Sequence, residues 1–115
     1  MQSKLANIIR LLHIVEAIEE IESYILNNDF ISFMENSMMR FACVKQMEII
    51  GEAANHISED LKSKFSTVEW SQITGMRNVF VHEYFGIDSA IVWEIIKKDI
   101  PELKSKIALI LTSFT

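Results

Sequence analysis

The sequence has few of the residues that turn a chain or cross-link it. Three glycines and one proline occur among 115 residues, and strand-rich sandwiches or barrels need turn residues far more often than this. Cys43 is the single cysteine, and no CxxC or Cys/His spacing surrounds it. We therefore expect a buried thiol in a reducing compartment, with no disulfide framework. These absences favour a helical protein.

An excess of basic residues is also missing. The net charge is −5, with 11 Lys and Arg against 16 Asp and Glu, which disfavours sequence-indifferent binding to DNA. No uncharged run approaches the length of a membrane-spanning helix, and Arg10 interrupts the early apolar run that a signal peptide would keep clean. We expect a soluble, cytoplasmic protein with neither DNA nor a membrane as partner.

Half of the residues are hydrophobic, and they recur at helical spacing. Residues 5–25 are predicted to form an amphipathic helix whose core-facing positions are Leu5, Ile8, Leu12, Val15, Ile18, Ile21 and Ile25. Predicted helix caps are Asp29, Ser37, Ser58 and Asp88. Because no repeat or linker interrupts the chain, we expect one domain over residues 1–115. Its predicted fold class is all-α, a four-to-five-helix up-and-down bundle.

The segment 38–57 is apolar on most sides, as expected of a central buried helix. Small residues such as Gly51 would let another helix approach closely. Glu48, Glu52 and His56 share one stripe at i, i+4 spacing, and polar groups there need partners. A dimetal site would need Glu-x-x-His pairs on two helices, so no metal is predicted. The alternatives are paired structural polar groups or a carboxylate aimed at a basic site residue.

The segment 76–88 places polar side chains among large apolar ones. We expect a helix through Val81 that ends near Gly86. Arg77, Asn78, His82 and Tyr84 lie within this segment, and such a cluster is costly unless it faces a partner or a cleft. An arginine binds phosphate, a histidine transfers a proton near neutral pH, and a tyrosine offers a hydroxyl and a stacking ring. Together they suit phosphodiester cleavage.

A metal-independent ribonuclease needs a base, an acid and a cation that stabilises the phosphorane-like transition state. One chain supplies one suitable histidine, His82, so two chains meeting at this segment would supply both roles. Arg77 and His82 are five residues apart, which is about 140° around an ideal helix. Local unwinding near His82, or the partner chain, must therefore bring them together.

These residues resemble a known family. Arg77, His82 and Tyr84 match the R-x(4)-H-x-Y signature of the HepT-like ribonucleases, which are toxins within the HEPN superfamily of small helical proteins. The resemblance extends over nearly the whole chain. It includes the sequences LLHI from residue 11, EIIGEAA from residue 48, GMRN from residue 75, YFGID from residue 84, VWEI from residue 92 and DIPEL from residue 99.

The resemblance implies a homodimeric HEPN-like bundle with a metal-independent RNA-cleaving site at the dimer interface and no cofactor. Arg77 and His82 would be the catalytic pair, with Asn78 in a supporting role. It also implies a nucleotidyltransferase-fold antitoxin that transfers AMP to the motif tyrosine, here Tyr84. A bulky anion beside Arg77 and His82 would block phosphate entry.

Other functions fit the same residues. A non-catalytic nucleotide-binding or adaptor partner of a nucleotidyltransferase would use Arg77 and His82 to bind phosphate without turnover. A structural helical dimer would have no site at all. For a ribonuclease with this net charge, RNA affinity would have to come from a local basic patch, for which Arg40, Lys45, Lys62 and Lys64 are the candidates.

Overall fold

Helices dominate the part of the chain that the structure describes. The computed structural model describes residues 2–79 and 88–115, with residues 2, 78 and 79 described by their backbone alone. The α-helices are α1 (Gln2–Ile25), α2 (Phe30–Glu35), α3 (Ser37–Asn55), α4 (Glu59–Lys64), α5 (Trp70–Val79), α6 (Ser89–Glu94) and α7 (Ile100–Thr112). No strand occurs within the two described ranges, and the all-α prediction is confirmed. None of these helices is long and apolar enough to span a membrane.

Four longer helices build the bundle, and three helices of six residues lie in its connections. The central helix is α3, which packs against α1 on one side and α5 on another. Helix α7 packs against α1, and α2 contacts both α3 and α6. The prediction of a buried central helix at 38–57 is therefore confirmed, and both α1 and α5 pack on it.

The buried face of α1 differs from the prediction in the first half of the helix. Leu5 and Leu12 were predicted to face the core but are 60% and 44% exposed, whereas Leu11 and Ile14 are fully buried. Helix α1 carries two apolar stripes, and periodicity alone does not tell which stripe faces α3. In the second half of the helix, Ile18 and Ile21 are buried as predicted.

Three of the predicted helix caps are confirmed. Carboxylate or hydroxyl oxygens of Asp29, Ser58 and Asp88 accept backbone N–H groups from the first turns of α2, α4 and α6. The cap predicted at Ser37 is wrong, because α3 is capped one residue earlier. There Asn36 Oδ1 accepts the backbone N–H of Met39 at 3.0 Å. Asparagine and serine cap helices about equally well, so neighbouring candidates are not separated by residue type.

Polar contacts fix the helices to one another. Asn7 of α1 is buried; its Nδ2 donates to Ser58 Oγ at 3.0 Å and its Oδ1 accepts the Ser58 backbone N–H at 3.0 Å. At the other end of α1, Lys104 Nζ of α7 donates to Glu22 at 2.9 Å. These contacts fix α1 to the start of α4 and to α7.

Candidate active site

Arg77 lies near the end of α5 and reaches across to α3. Its Nη1 donates to Glu52 Oε2 at 3.0 Å, and the side chains of Arg77 and Glu52 are 34% and 56% exposed. The contact joins residues on two different helices, so it depends on how closely α3 and α5 pack. The predicted site arginine is therefore at the surface and fixed by a carboxylate.

Gly51 explains how α5 comes so close to α3. A Cβ at position 51 would lie 2.7 Å from the backbone nitrogen of Arg77 and 3.1 Å from the carbonyl oxygen of Thr74. Both neighbours are backbone atoms, so no flexible side chain could move aside. The expectation that Gly51 admits a second helix is confirmed, and the helix it admits is the one that carries Arg77.

Glu52 makes a second contact through its other oxygen. His56 is the C-cap residue of α3, one turn after Glu52, and its Nε2 lies 2.9 Å from Glu52 Oε1. Hydrogen bonds from His56 and then from Arg77 hold the pKa of the Glu52 carboxyl below its usual range. Of the two alternatives for this stripe, the geometry at Glu52 matches a carboxylate aimed at a basic site residue. Glu48 instead faces Lys45, at 3.8 Å.

A shallow hollow of about 450 Å³ opens beside this contact. It is lined by Lys45, Glu48, Ile49, Glu52 and Arg77. Two cations and two carboxylates therefore border one solvent-accessible space, and each carboxylate lies within 4 Å of one of the cations. An arginine that borders such a space is suited to phosphate, because the guanidinium can donate several parallel hydrogen bonds.

The remaining motif residues lie outside the described part of the structure. This applies to His82 and Tyr84, and to the side chain of Asn78. The meeting of Arg77 with His82 stays a prediction, as does the end of the motif helix near Gly86. Helix α5 reaches Val79 in the described chain.

The four candidates for a local basic patch do not gather at Arg77. Lys45 lines the hollow, with its side chain 69% exposed. The Arg40 guanidinium donates to the carbonyl oxygens of Phe33 and Met34 at the end of α2. Lys62 lines a separate hollow, and the Lys64 ammonium lies 5.8 Å from the centre of the Phe65 ring. Sequence spacing could not distinguish Lys45 from the other three.

The fold is that of a small helical protein. Its candidate phosphate-binding site is Arg77, held by Glu52 beside an open hollow. Comparison with protein-family models gives a match to the ribonuclease HepT-like family over residues 14–110. This match covers most of the chain, including α3, α5 and the R-x(4)-H-x-Y motif. The chain belongs to the HepT-like ribonuclease family.

Relatives of similar length support this assignment. A Methanocaldococcus jannaschii protein named "Putative RNase MJ1380" is 36% identical over 97 residues, which is 84% of this chain and 89% of the relative. A Thermococcus cleftensis protein named "Probable ribonuclease HepT" is 39% identical over 93 residues, which is 81% of this chain and 84% of the relative. No solved structure matches the chain.

Proposed function

We propose that this protein is a metal-independent endoribonuclease, the cytoplasmic toxin of a toxin–antitoxin pair, which cleaves RNA at a composite site on a homodimer interface. Arg77 and His82 are the proposed catalytic residues, and Asn78 supports them. The observation that carries the proposal is the surface position of Arg77, held by Glu52 beside an open hollow. Membership of the HepT-like ribonuclease family and the names of the relatives support the reaction class.

The proposed reaction needs three roles. A neutral His82 takes the proton of the ribose 2′-hydroxyl while the 2′-oxygen attacks phosphorus. A protonated His82 from the second chain gives a proton to the departing 5′-oxygen. A 2′,3′-cyclic phosphate and a 5′-hydroxyl end result, with no net change in protons. Arg77 stabilises the charge that builds on the phosphorane oxygens, which is where a preorganised cation is most effective.

Exposed apolar residues support the proposed homodimer. Leu5, Ile9 and Leu12 form an exposed stripe on α1, and Phe41 and Ile49 are exposed on α3. Ile49 also lines the hollow beside Arg77. Exposed apolar residues on two helices, one of which borders the candidate site, are suited to contact a partner, and a second copy would supply the second histidine.

The proposed regulation acts on Tyr84. A nucleotidyltransferase-fold antitoxin transfers AMP from ATP to the Tyr84 hydroxyl, which forms a phosphodiester and releases pyrophosphate. The added group is bulky and carries a negative charge near Arg77 and His82. It therefore competes with an RNA phosphate for the same cations. A Tyr84→Phe variant has no hydroxyl to modify and should escape this inactivation.

Cleavage of RNA by purified protein in EDTA tests the catalytic part of the proposal. Single-stranded RNA and bulk cellular RNA are incubated with the parent, with Arg77→Ala and with His82→Ala. We expect the parent to cleave in EDTA and both variants to lose activity. Parent-like cleavage by His82→Ala would refute the catalytic assignment. Nucleotide binding without cleavage of any RNA would support the adaptor function instead.

The antitoxin part is tested with ATP and a nucleotidyltransferase-fold candidate partner. We expect a mass increase corresponding to AMP on the parent, no increase on Tyr84→Phe, and loss of cleavage only where AMP is attached. An AMP adduct on another residue would contradict the assignment of Tyr84. Sedimentation of the purified protein as a monomer at assay concentration would contradict the composite dimer site.

A further inference from the structure

Glu52 lies between a guanidinium and an imidazole at the candidate site. One oxygen accepts from Arg77 at 3.0 Å, and the other lies 2.9 Å from His56 Nε2. Both carboxylate oxygens are thus engaged, one by Arg77 of α5 and the other by His56 at the C-cap of α3. This arrangement leaves Glu52 little freedom to rotate, although its side chain is 56% exposed.

We infer that Glu52 is a positioning residue that holds the Arg77 guanidinium in the direction required for RNA cleavage, and that His56 holds Glu52. The inference rests on the proposed function, because it assigns a role toward Arg77 in that reaction. Glu52 and His56 themselves are not proposed to touch the reacting atoms.

The physical need for such a residue follows from the arginine side chain. A surface arginine has several rotatable bonds, and holding it in one geometry costs conformational entropy. Bound through Nη1 to a fixed carboxylate, the Arg77 guanidinium keeps one orientation before RNA arrives. Among the described residues Arg77 donates through Nη1 to Glu52 alone, which leaves the other guanidinium N–H groups to donate to phosphate. Misplacement of a catalytic group by about 1 Å can reduce the rate by roughly 100-fold.

The role of His56 follows from its place one turn after Glu52, at the C-cap of α3. A carboxylate that binds only Arg77 could rotate with the arginine and would fix nothing. Because His56 engages the second oxygen, the carboxylate plane is set by α3 rather than by Arg77. A glutamine at position 56 carries an amide N–H₂ that can make a similar contact, whereas an alanine cannot.

Steady-state cleavage of a labelled single-stranded RNA oligonucleotide that contains all four bases tests the inference. The variants are Glu52→Ala, Glu52→Gln, His56→Ala and His56→Gln in the full chain. Glu22→Gln is the matched control, because Glu22 also forms an exposed interhelical ion pair, with Lys104 at 2.9 Å, on a different pair of helices.

We expect Glu52→Ala to lower kcat by roughly 10- to 100-fold with a much smaller change in KM, because a misaligned cation weakens transition-state stabilisation more than ground-state binding. Glu52→Gln keeps one acceptor oxygen and should lie between Glu52→Ala and the parent. His56→Gln should retain more activity than His56→Ala. Glu22→Gln should cleave like the parent, and its melting temperature should match that of the Glu52 variants.

The outcomes separate the two proposals. If the parent cleaves and Arg77→Ala does not, but Glu52→Ala keeps the parent kcat, the positioning role is overturned and the proposed function stands. A higher kcat in Glu52→Ala also overturns it, since Glu52 would then compete with phosphate for Arg77. A parent that cleaves neither the oligonucleotide nor bulk cellular RNA overturns the proposed function and this inference with it. Should Glu52→Ala fail to fold, the comparison of Glu52→Gln with Glu22→Gln decides.

Discussion

The backbone of Gly51 on α3 lies against the backbone of Arg77 on α5. A Cβ at position 51 would come within 2.7 Å of the Arg77 nitrogen, a distance that real structures avoid. We expect Gly51→Ala to push the two helices apart and to lower the free energy of unfolding by about 1–3 kcal/mol. Because Arg77 would also move away from Glu52, RNA cleavage should fall. Urea unfolding and the cleavage assay measure the two effects.

Gly75→Ala is the matched control for this substitution. Gly75 lies on α5 itself, and no described atom lies within 4 Å of the position its Cβ would take. Alanine is favoured over glycine inside a helix by about 1 kcal/mol. Gly75→Ala should therefore be as stable as the parent or more so. Equal stability of Gly51→Ala and Gly75→Ala would show that α3 and α5 are not in close contact at this point.

The position of Glu52 shows which part of the site is readable from sequence. The i, i+4 spacing of Glu52 and His56 predicts that they share a helix face, and they are in contact. The spacing does not show which carboxylate contacts a basic site residue, because Glu48 shares the stripe with Glu52 and is an equal candidate. The choice between the two carboxylates depends on how closely α5 packs on α3. That distance depends on the missing side chain at Gly51.

Helix α1 shows where sequence patterning fails for the fold. A helix with one apolar stripe can be oriented by its spacing, as for α7, where Leu103, Ile107 and Ile110 recur at steps of three and four and are all buried. Helix α1 has a second apolar stripe, and Leu12 is exposed on it. If that stripe is covered by a second copy of the chain, its apolar residues serve association rather than folding. A single sequence does not separate these two uses.

The thiol of Cys43 should be unreactive in the folded protein. Cys43 is fully buried on α3, and burial raises the pKa of its thiol to about 11. Since the thiolate is the reactive form, labelling by a thiol reagent at mildly alkaline pH should be slow in buffer and fast in denaturing urea. Labelling is followed by mass spectrometry, with Cys43→Ser protein as the background control. Rapid, complete labelling of the native protein would contradict the buried position.

Stability should fall in acid through two carboxylates whose pKa values are lowered on folding. Hydrogen bonds from His56 and Arg77 lower the pKa of Glu52, and the backbone N–H of Ser32 lowers that of Asp29. Their ordinary values are 4.5 and 3.8. A lowered pKa in the folded state stabilises the protein above the ordinary value, and this contribution is lost as pH falls through the folded value. At neutral pH the contribution is complete.

Urea unfolding measured from neutral pH down to about pH 3 tests this dependence. Glu52→Gln and Asp29→Asn should each be less sensitive to acid than the parent, since neither amide titrates. Asparagine is also a good helix cap, so Asp29→Asn keeps the start of α2 intact. An acid sensitivity in both variants identical to that of the parent would show that these carboxylates do not carry the effect.

Lys45 should contribute to RNA binding rather than to the chemical step. It lines the hollow beside Arg77, its side chain is 69% exposed, and its contact with Glu48 is long at 3.8 Å. Exposed ion pairs of this kind contribute little, so the ammonium is available to a phosphate. We expect Lys45→Ala to raise KM several-fold with kcat near the parent value. The decrease in RNA affinity with rising salt concentration should become less steep, by the equivalent of about one phosphate contact.

Lys104→Ala is the control, because Lys104 is an exposed lysine engaged with Glu22 between α1 and α7. If both variants showed the same KM and the same salt dependence, Lys45 would have no specific role at the hollow, and phosphate recognition would depend on Arg77 and the rest of the motif.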